Sequence, residues 1–286
     1  MAIAVFLIVA FGSSWAIAWG LQATGGPEAA GAMTALWFLA FMFGPAIGAL
    51  VAAGLFDRDR FLQALSLRPI RWKAVIVWVL LGWAIAIVLV IAALGVTLLV
   101  LGQPPADAAA RLAEQVQAQG VELPMSAEAL LWLTILVNVP IGIVINTILI
   151  TANEELGWRG WLQPRLKRLG FWPVSIVIGV IWGLWHAPII LMGHNYPGMG
   201  WTGVGLMVVF TTLVSPYYTL VRERSGHVVP AGALHGAMNA TAAVGILFTP
   251  ETGWPWNGLV GAAGFAVMFA GWALIALYRR SKPVVG

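Results

Sequence analysis

The sequence contains no cysteine, so disulfides, thiolate metal sites and cysteine nucleophiles are excluded from the start. Charged side chains are also scarce: they make up 9% of the 286 residues, whereas a soluble protein has about 25%. Hydrophobic residues account for 60% of the chain, and the mean hydropathy is +0.90. These values predict a polytopic membrane protein.

Apolar runs long enough to cross a bilayer, about 20 residues each, recur along the whole chain. They predict an all-α fold, a bundle of about eight transmembrane helices in a single integral-membrane domain over residues 1–286. The first run begins at Met1 without a basic leading segment or a clear cleavage site, so we expect it to be retained as an anchor. The predicted helices are Met1–Leu21, Met33–Phe56, Trp72–Leu101, Leu130–Leu162, Phe171–Met192, Trp201–Leu220, Val228–Phe248 and Gly258–Tyr278.

Basic residues are concentrated on one side of this predicted bundle. All but one of the 15 Lys and Arg residues fall in alternate connections or after the last helix. The positive-inside rule then places both termini in the cytoplasm, and we expect the plasma (inner) membrane. Because the basic residues serve as topology signals, the net charge of +4 does not indicate a nucleic-acid partner. The exception, Arg111, lies in the outer segment 102–127, in which residues 106–119 have helical character.

One of these apolar regions contains three charged side chains within a span of six residues: Glu154, Glu155 and Arg159. Ionisable groups at membrane depth are unfavourable by a few kcal/mol or more, so they are rarely present without a role. Glu155 and Arg159 share a helix face and can neutralise each other. Glu154 lies about 100° away around the helix and is left without that partner. One paired acid beside one free acid suits general acid–base chemistry.

Two of the four histidines are embedded in apolar runs. His186 is one, and His235 is the other, on the same helical face as Asn239. Measured from the basic and tryptophan residues at the cytoplasmic edge, Glu154, His186 and His235 all lie roughly 16–21 Å deep. A shared level on three helices predicts one water-accessible site near the middle of the bilayer. The remaining two histidines, in connections, are expected to be solvated or interfacial.

Small residues flank both buried histidines. Gly179 and Gly183 precede His186, and Gly232 and Gly236 bracket His235. Small residues four apart let helices approach closely in lipid, so we expect tight packing of both helices.

Two chemistries fit these residues equally well. Hydrolysis needs a base that activates water and donors for the developing oxyanion; Glu154 can be the base, His186 can orient the same water, and His235 with Asn239 can supply the donors. Alternatively, Glu154, His186 and His235 match a catalytic zinc site with two histidines and one glutamate. No metal is certain, and the residues alone do not separate these two chemistries.

The three motifs together resemble a known family. Glu154-Glu155-x-x-x-Arg159, Trp182-x-x-x-His186 and His235-x-x-x-Asn239 are similar, in order and spacing, to the motifs of the CAAX-protease and bacteriocin-processing family. That family contains Rce1-like intramembrane proteases, and its second motif usually begins with Phe where Trp182 stands.

The resemblance implies a protease core at about residues 130–250 that cleaves a membrane-anchored peptide or protein, with prenylated CAAX proteins as one candidate substrate. It also implies a water activated by glutamate without a metal ligand, so a site without a cofactor is favoured and zinc is the alternative. The resemblance further implies a role for each residue. Glu154 would be the catalytic base, His186 would share its water, His235 and Asn239 would form the oxyanion hole, and Glu155 with Arg159 would hold the site together.

Two other readings remain open. One is a non-catalytic bacteriocin-immunity or scaffolding protein that keeps the polar cluster for structural reasons. The other is a proton-coupled transporter, since buried Glu and His also form proton relays. The sequence has no inverted repeat and no matching pair of interrupted helices, which argues against transport.

Overall fold

The fold is taken from a computed structural model, which describes residues 1–123, 125–250 and 258–282. Within those ranges the chain forms helices and connections, with no strand. We number the principal helices in chain order. They are α1 (Ala2–Ala23), α2 (Gly26–Phe56), α3 (Trp72–Leu101), α4 (Ala108–Gln117), α5 (Ala127–Leu169), α6 (Phe171–Trp185), α7 (Ala187–Leu191), α8 (Gly200–Ser225), α9 (Val229–Phe248) and α10 (Ala262–Ser281).

Two of these helices change geometry along their length. Helix α2 consists of Gly26–Ala30, Gly31–Met33, Thr34–Met42 and Gly44–Phe56, and short turns at Arg58–Arg60 and Phe61–Ala64 follow it. Helix α5 consists of Ala127–Leu133, Thr134–Asn138, Val139–Ile150, Thr151–Leu162, Gln163–Leu166 and Lys167–Leu169. Both Thr134–Asn138 and Thr151–Leu162 are π-helical, and the second of these carries both glutamates. Such widened turns occur frequently at functional sites.

The prediction of a polytopic helical membrane protein is confirmed. Seven of the described helices are long and apolar enough to cross a membrane: α1, α2, α3, α5, α8, α9 and α10. The predicted helix Phe171–Met192 is interrupted, because α6 ends at Trp185 and α7 begins at Ala187. Pro188 accounts for the break, since it has no N–H to donate to the carbonyl of Leu184.

The predicted boundary of the sixth span was wrong. Helix α8 continues to Ser225, so Arg222 lies within a helix rather than in a connection. Its guanidinium donates to the backbone carbonyl of Arg159 at 3.1 Å and also to the hydroxyl of Ser66. Arg222 therefore has a structural role in joining three elements, in addition to any effect on topology.

Close helix packing at the predicted glycines is confirmed. Helix α9 packs against α5, and α6 packs against α8. A Cβ added to Gly236 would lie 2.5 Å from the backbone of Asn146, and one added to Gly179 would lie 2.5 Å from Cα of Thr212. Neither position has room for a side chain, so these glycines fix the separation of the helices that carry His235 and His186.

The outer helix α4 contacts the end of α9. Asp107 caps α4 by accepting from the N–H of Ala110 at 3.0 Å. Arg111 donates to the carbonyl of Thr249 and, at 3.4 Å each, to those of Ile246 and Leu247. The basic residue that departs from the charge pattern therefore caps the C-terminus of a spanning helix, where a cation is favourable.

Candidate active site

Glu154 lies in the π-helical part of α5 and is only 2% exposed. Its Oε2 accepts a hydrogen bond from the indole Nε1 of Trp182 at 2.7 Å. The prediction that Glu154 does not share the arginine partner of Glu155 agrees with this geometry. The carboxylate is instead oriented by a neutral donor on α6 through its Oε2.

Glu155 and Arg159 form the predicted pair. Nη1 of Arg159 donates to Oε1 of Glu155 at 3.1 Å, and both side chains are completely buried. A buried ion pair needs further hydrogen bonds to offset the loss of water. Arg159 has one through Nη2, which donates to the hydroxyl of Ser215 on α8 at 3.1 Å.

Two aromatic rings enclose the arginine. The guanidinium carbon of Arg159 lies 4.6 Å from the centre of the Trp182 ring and 4.4 Å from that of Tyr218. A cation over aromatic faces is attracted by the ring quadrupole, most strongly where water is excluded. The charge on Arg159 is thus held by one carboxylate, one hydroxyl and two rings.

His235 also contacts Glu155. Its Nδ1 lies 2.9 Å from Oε1 of Glu155, the oxygen that Arg159 also approaches. An ionised carboxylate can only accept, so Nδ1 carries the proton in this bond. The ring of His235 therefore presents Nε2 away from Glu155, and Nε2 can donate only when the imidazole is protonated on both nitrogens.

His186 is fixed by the backbone of its own helix. Its Nδ1 lies 2.8 Å from the carbonyl oxygen of Trp182. A carbonyl accepts only, so Nδ1 is the protonated nitrogen and Nε2 of the neutral ring carries a lone pair. That lone pair can accept a hydrogen bond from water, the role that the sequence predicts for this residue.

The predicted cluster is assembled around Trp182. Its ring centre lies 5.8 Å from that of His186 and 5.1 Å from that of His235, and its N–H reaches Glu154. Glu154, His186 and His235 are thus brought to one place from three helices, as their depths predict. His186 is 5% and His235 is 6% exposed, so the cluster is almost closed.

Asn239 makes no hydrogen bond to the other residues of the cluster around Trp182. It lies one turn after His235 on α9, and its side chain is exposed. Its amide makes no hydrogen bond to any described residue. The structure therefore leaves Asn239 free to meet a ligand, and its role in an oxyanion hole stays a prediction.

Sequence reasoning missed several members of the site. Trp182 was noted only as the aromatic residue of the second motif, although its N–H is the donor to Glu154. Ser215 and Tyr218 were not considered at all. The signal for both was present, because they are polar side chains next to Pro216 within an apolar helix.

The alternative of a zinc site has little support in the arrangement of the side chains. Among the residues that the structure describes, no group of three His, Asp or Glu side chains is placed to hold a metal ion. Nδ1 of each imidazole is engaged by an oxygen, an arrangement that is also usual for metal-binding histidines, so these bonds do not separate the two chemistries. Zinc therefore stays the alternative to a site without a cofactor.

The two remaining histidines differ from each other. His194 is half-buried in the connection after α7, and its ring lies edge-on to Phe38 at 5.0 Å. His227, expected to be solvated or interfacial, is only 6% exposed, so that prediction was wrong. Its Nε2 lies 3.2 Å from the carbonyl of Leu67, and its Nδ1 accepts from the N–H of Val229 at 3.3 Å.

Comparison with known proteins adds an independent finding. Residues 129–241 match the model of a family described as type II CAAX prenyl endopeptidase Rce1-like. The curated protein CAAX prenyl protease 2 of Methanococcus maripaludis is 40% identical over 55 residues, or 18% of this chain. That alignment spans 20% of the relative's length. Every residue of the cluster from Glu154 to Asn239 lies within 129–241, the segment of the chain that is similar to this family.

Proposed function

We propose that this protein is an intramembrane endopeptidase that hydrolyses a peptide bond of a membrane-associated protein or peptide. Prenylated proteins of the CAAX type are the first substrate class to test, because the family is named for them. We place the cleavage on the cytoplasmic side of the plasma (inner) membrane, with both termini in the cytoplasm, from the positions of the basic residues.

The observation that supports this proposal best is the environment of Glu154. The carboxylate is nearly buried and held by Trp182, whereas the neighbouring Glu155 is neutralised by Arg159. Two adjacent acids thus have different partners and can have different roles. A base that is fixed in place and shielded from bulk water is suited to activating one water molecule.

In the proposed reaction, Glu154 removes a proton from a water molecule whose oxygen bonds to the carbonyl carbon of the scissile peptide. The carbonyl electrons move onto its oxygen and form an oxyanion. Collapse of this intermediate breaks the carbon–nitrogen bond, and protonated Glu154 returns its proton to the leaving nitrogen. His186 accepts a hydrogen bond from the same water through the lone pair on Nε2.

Donors for the oxyanion come from α9. His235 acts as an imidazolium, because its Nδ1–H is committed to Glu155 and Nε2 must also carry a proton to donate. The carboxylate of Glu155 then faces two cations, the imidazolium of His235 and the guanidinium of Arg159. The exposed amide of Asn239, one turn further along, is the second donor. Such donors, aimed at developing charge in a site of low dielectric constant, supply much of the catalysis in acyl transfer.

The test is cleavage of a panel of membrane-anchored peptides, prenylated and unprenylated, by the purified full-length protein. Glu154→Gln keeps the volume and the acceptor for Trp182 but removes the basicity, so we expect a folded protein without activity. Glu28→Gln is the matched control, because Glu28 is an exposed acid outside the cluster and should keep full activity.

Each reaction is run with and without a strong chelator. Activity that survives the chelator and is absent from Glu154→Gln is the result we expect. Activity that the chelator removes and zinc restores would instead assign Glu154, His186 and His235 as metal ligands. Processing retained by folded Glu154→Gln, or cleavage of no peptide in the panel, would contradict the proposal and favour the scaffolding or immunity reading.

A further inference from the structure

A cavity lies at the ends of the spanning helices on the basic side, away from the residues of the active site. It has a volume of about 730 Å³ and is formed where α5 ends, α6 begins, and α8 and α10 end. That volume falls within the range of about 300–1,000 Å³ found for small-molecule sites.

Its charge is strongly one-sided. Four cations line it (Lys167, Arg168, Arg279 and Arg280), against a single carboxylate, Glu223. Arg279 is the one that Glu223 neutralises, and its guanidinium also lies 3.8 Å from the ring centre of Phe171. Lys167, Arg168 and Arg280 are exposed, and no acidic side chain in the described ranges pairs with them. Three positive charges therefore face the cavity without an acidic partner among the described residues.

The floor of the cavity is apolar. Phe171 is buried, Trp172 and Ala276 are half-buried, and the indole of Trp172 packs against that of Trp272 at 5.3 Å. Tryptophan is favoured at the level of lipid headgroups, where one part of the ring is in an apolar environment and another in water. The cavity thus combines an apolar floor with a rim of cations.

From this combination we propose that the cavity binds the phosphate group of an anionic phospholipid. Basic pockets between spanning helices on the cytoplasmic side suit phosphate headgroups, and the apolar floor suits the first carbons of the acyl chains. A free phosphate ion would use the cations alone and would gain nothing from Phe171 and Trp172. The site is separate from the proposed hydrolysis and does not depend on it.

The test uses the full-length protein in a zwitterionic detergent, titrated with dioctanoyl phosphatidylglycerol or dioctanoyl phosphatidylcholine. Affinity is obtained from the dependence of the melting temperature on lipid concentration. Each basic residue near an anionic headgroup contributes about fivefold to affinity. We expect Lys167→Gln/Arg168→Gln/Arg280→Gln to bind phosphatidylglycerol about a hundredfold more weakly than the wild type. If the triple variant does not fold, Lys167→Gln alone should show the single fivefold loss.

The matched control, Arg60→Gln/Arg68→Gln/Lys73→Gln, removes the same charge from exposed residues on the same side but outside the cavity. It should bind phosphatidylglycerol as the wild type does. Equal affinity of the wild type for both lipids, or an equal loss in the control, would overturn the proposal. A third arm replaces lipid by inorganic phosphate at the same concentrations. If phosphate alone gives the full shift and the cavity variant loses it, the site takes free phosphate and the lipid assignment is wrong.

Discussion

The indole N–H of Trp182 donates to the carboxylate of Glu154 at 2.7 Å, across the interface between α6 and α5. This bond distinguishes the two adjacent acids, since Glu155 is bound by Arg159 and His235 instead. It also ties the orientation of the proposed base to the helix that carries His186. The position of α6 therefore controls the geometry of both residues that are proposed to hold the attacking water.

Replacing this tryptophan tests the bond directly. Trp182→Phe keeps an aromatic ring but removes the donor to Glu154. A hydrogen bond to a charged group contributes about 1.5–3 kcal/mol, so we expect kcat to fall by roughly ten- to a hundredfold with little change in KM. The measurement is steady-state cleavage of a membrane-anchored peptide. An unchanged kcat would mean that the indole N–H does not position the base.

The second prediction concerns the buried ion pair. Glu155→Gln leaves Arg159 buried without its carboxylate, and breaking such a pair by removing one partner destabilises a protein by about 3–5 kcal/mol. The melting temperature in detergent should fall clearly. Glu154→Gln is the matched control, because Glu154 pairs with no cation in the described part of the chain, and it should melt near the wild type. If Glu155→Gln melts as the wild type does, the structural role assigned to the pair is wrong.

Helix separation is tested at Gly236. A methyl group there would lie 2.5 Å from backbone atoms of α5, so the helices must move apart. We expect Gly236→Ala to destabilise the protein by about 1–3 kcal/mol, as overpacking does, and to lower activity by displacing His235. Gly12→Ala is the control, since a Cβ at Gly12 meets no atom within 4 Å. Equal melting temperatures for the two variants would show that α9 and α5 can separate without loss.

His227 predicts a dependence of stability on pH. Burial lowers the pKa of His227 below its usual value, and the nearby Arg222 acts in the same direction, against the bond to the carbonyl of Leu67. Its contribution to folding is therefore complete above about pH 6.5. It is lost as the pH falls through that value, because protonated Nδ1 cannot accept from Val229.

The corresponding measurement is the melting temperature between about pH 7.5 and 5. In the wild type the melting temperature should fall over this range. His227→Gln should reduce that fall, while His194→Gln, at a half-buried histidine in another connection, should reduce it less. A wild-type melting temperature that does not change with pH would show that His227 is not neutral and buried in the folded protein.

Much of the fold follows from local properties of the sequence. Apolar runs with few charges predict the spanning helices, and the glycine pairs around His186 and His235 predict that the helices carrying these histidines pack tightly. Pro188 indicates that the predicted helix Phe171–Met192 is interrupted, since proline breaks a helix. A prediction based on the length of the apolar run alone does not include this effect. The extension of α8 to Ser225 could not be predicted from the sequence, because the charge of Arg222 is accommodated by partners from distant parts of the chain.

In the active site, too, contacts within one helix could be predicted from the sequence and contacts between helices could not. The pairing of Glu155 with Arg159 depends on spacing within one helix, and the sequence predicts it. The bonds from Trp182 to Glu154 and from His235 to Glu155 join different helices, so they depend on how those helices dock. The burial of His227 likewise depends on Leu67, 160 residues away along the chain. Such contacts have no signature in spacing.

The interruption of α6 has a consequence for the imidazole that follows it. The N–H of His186 turns back to Gly183 at 3.2 Å, so the carbonyl of Trp182 lacks its usual helical donor. The ring of His186 supplies the missing donor and is thereby locked in one tautomer. The end of α6 thus decides which nitrogen of His186 carries the proton in the neutral ring. A helix that continued through His186 would give the carbonyl of Trp182 a backbone donor and leave the tautomer of the imidazole unfixed.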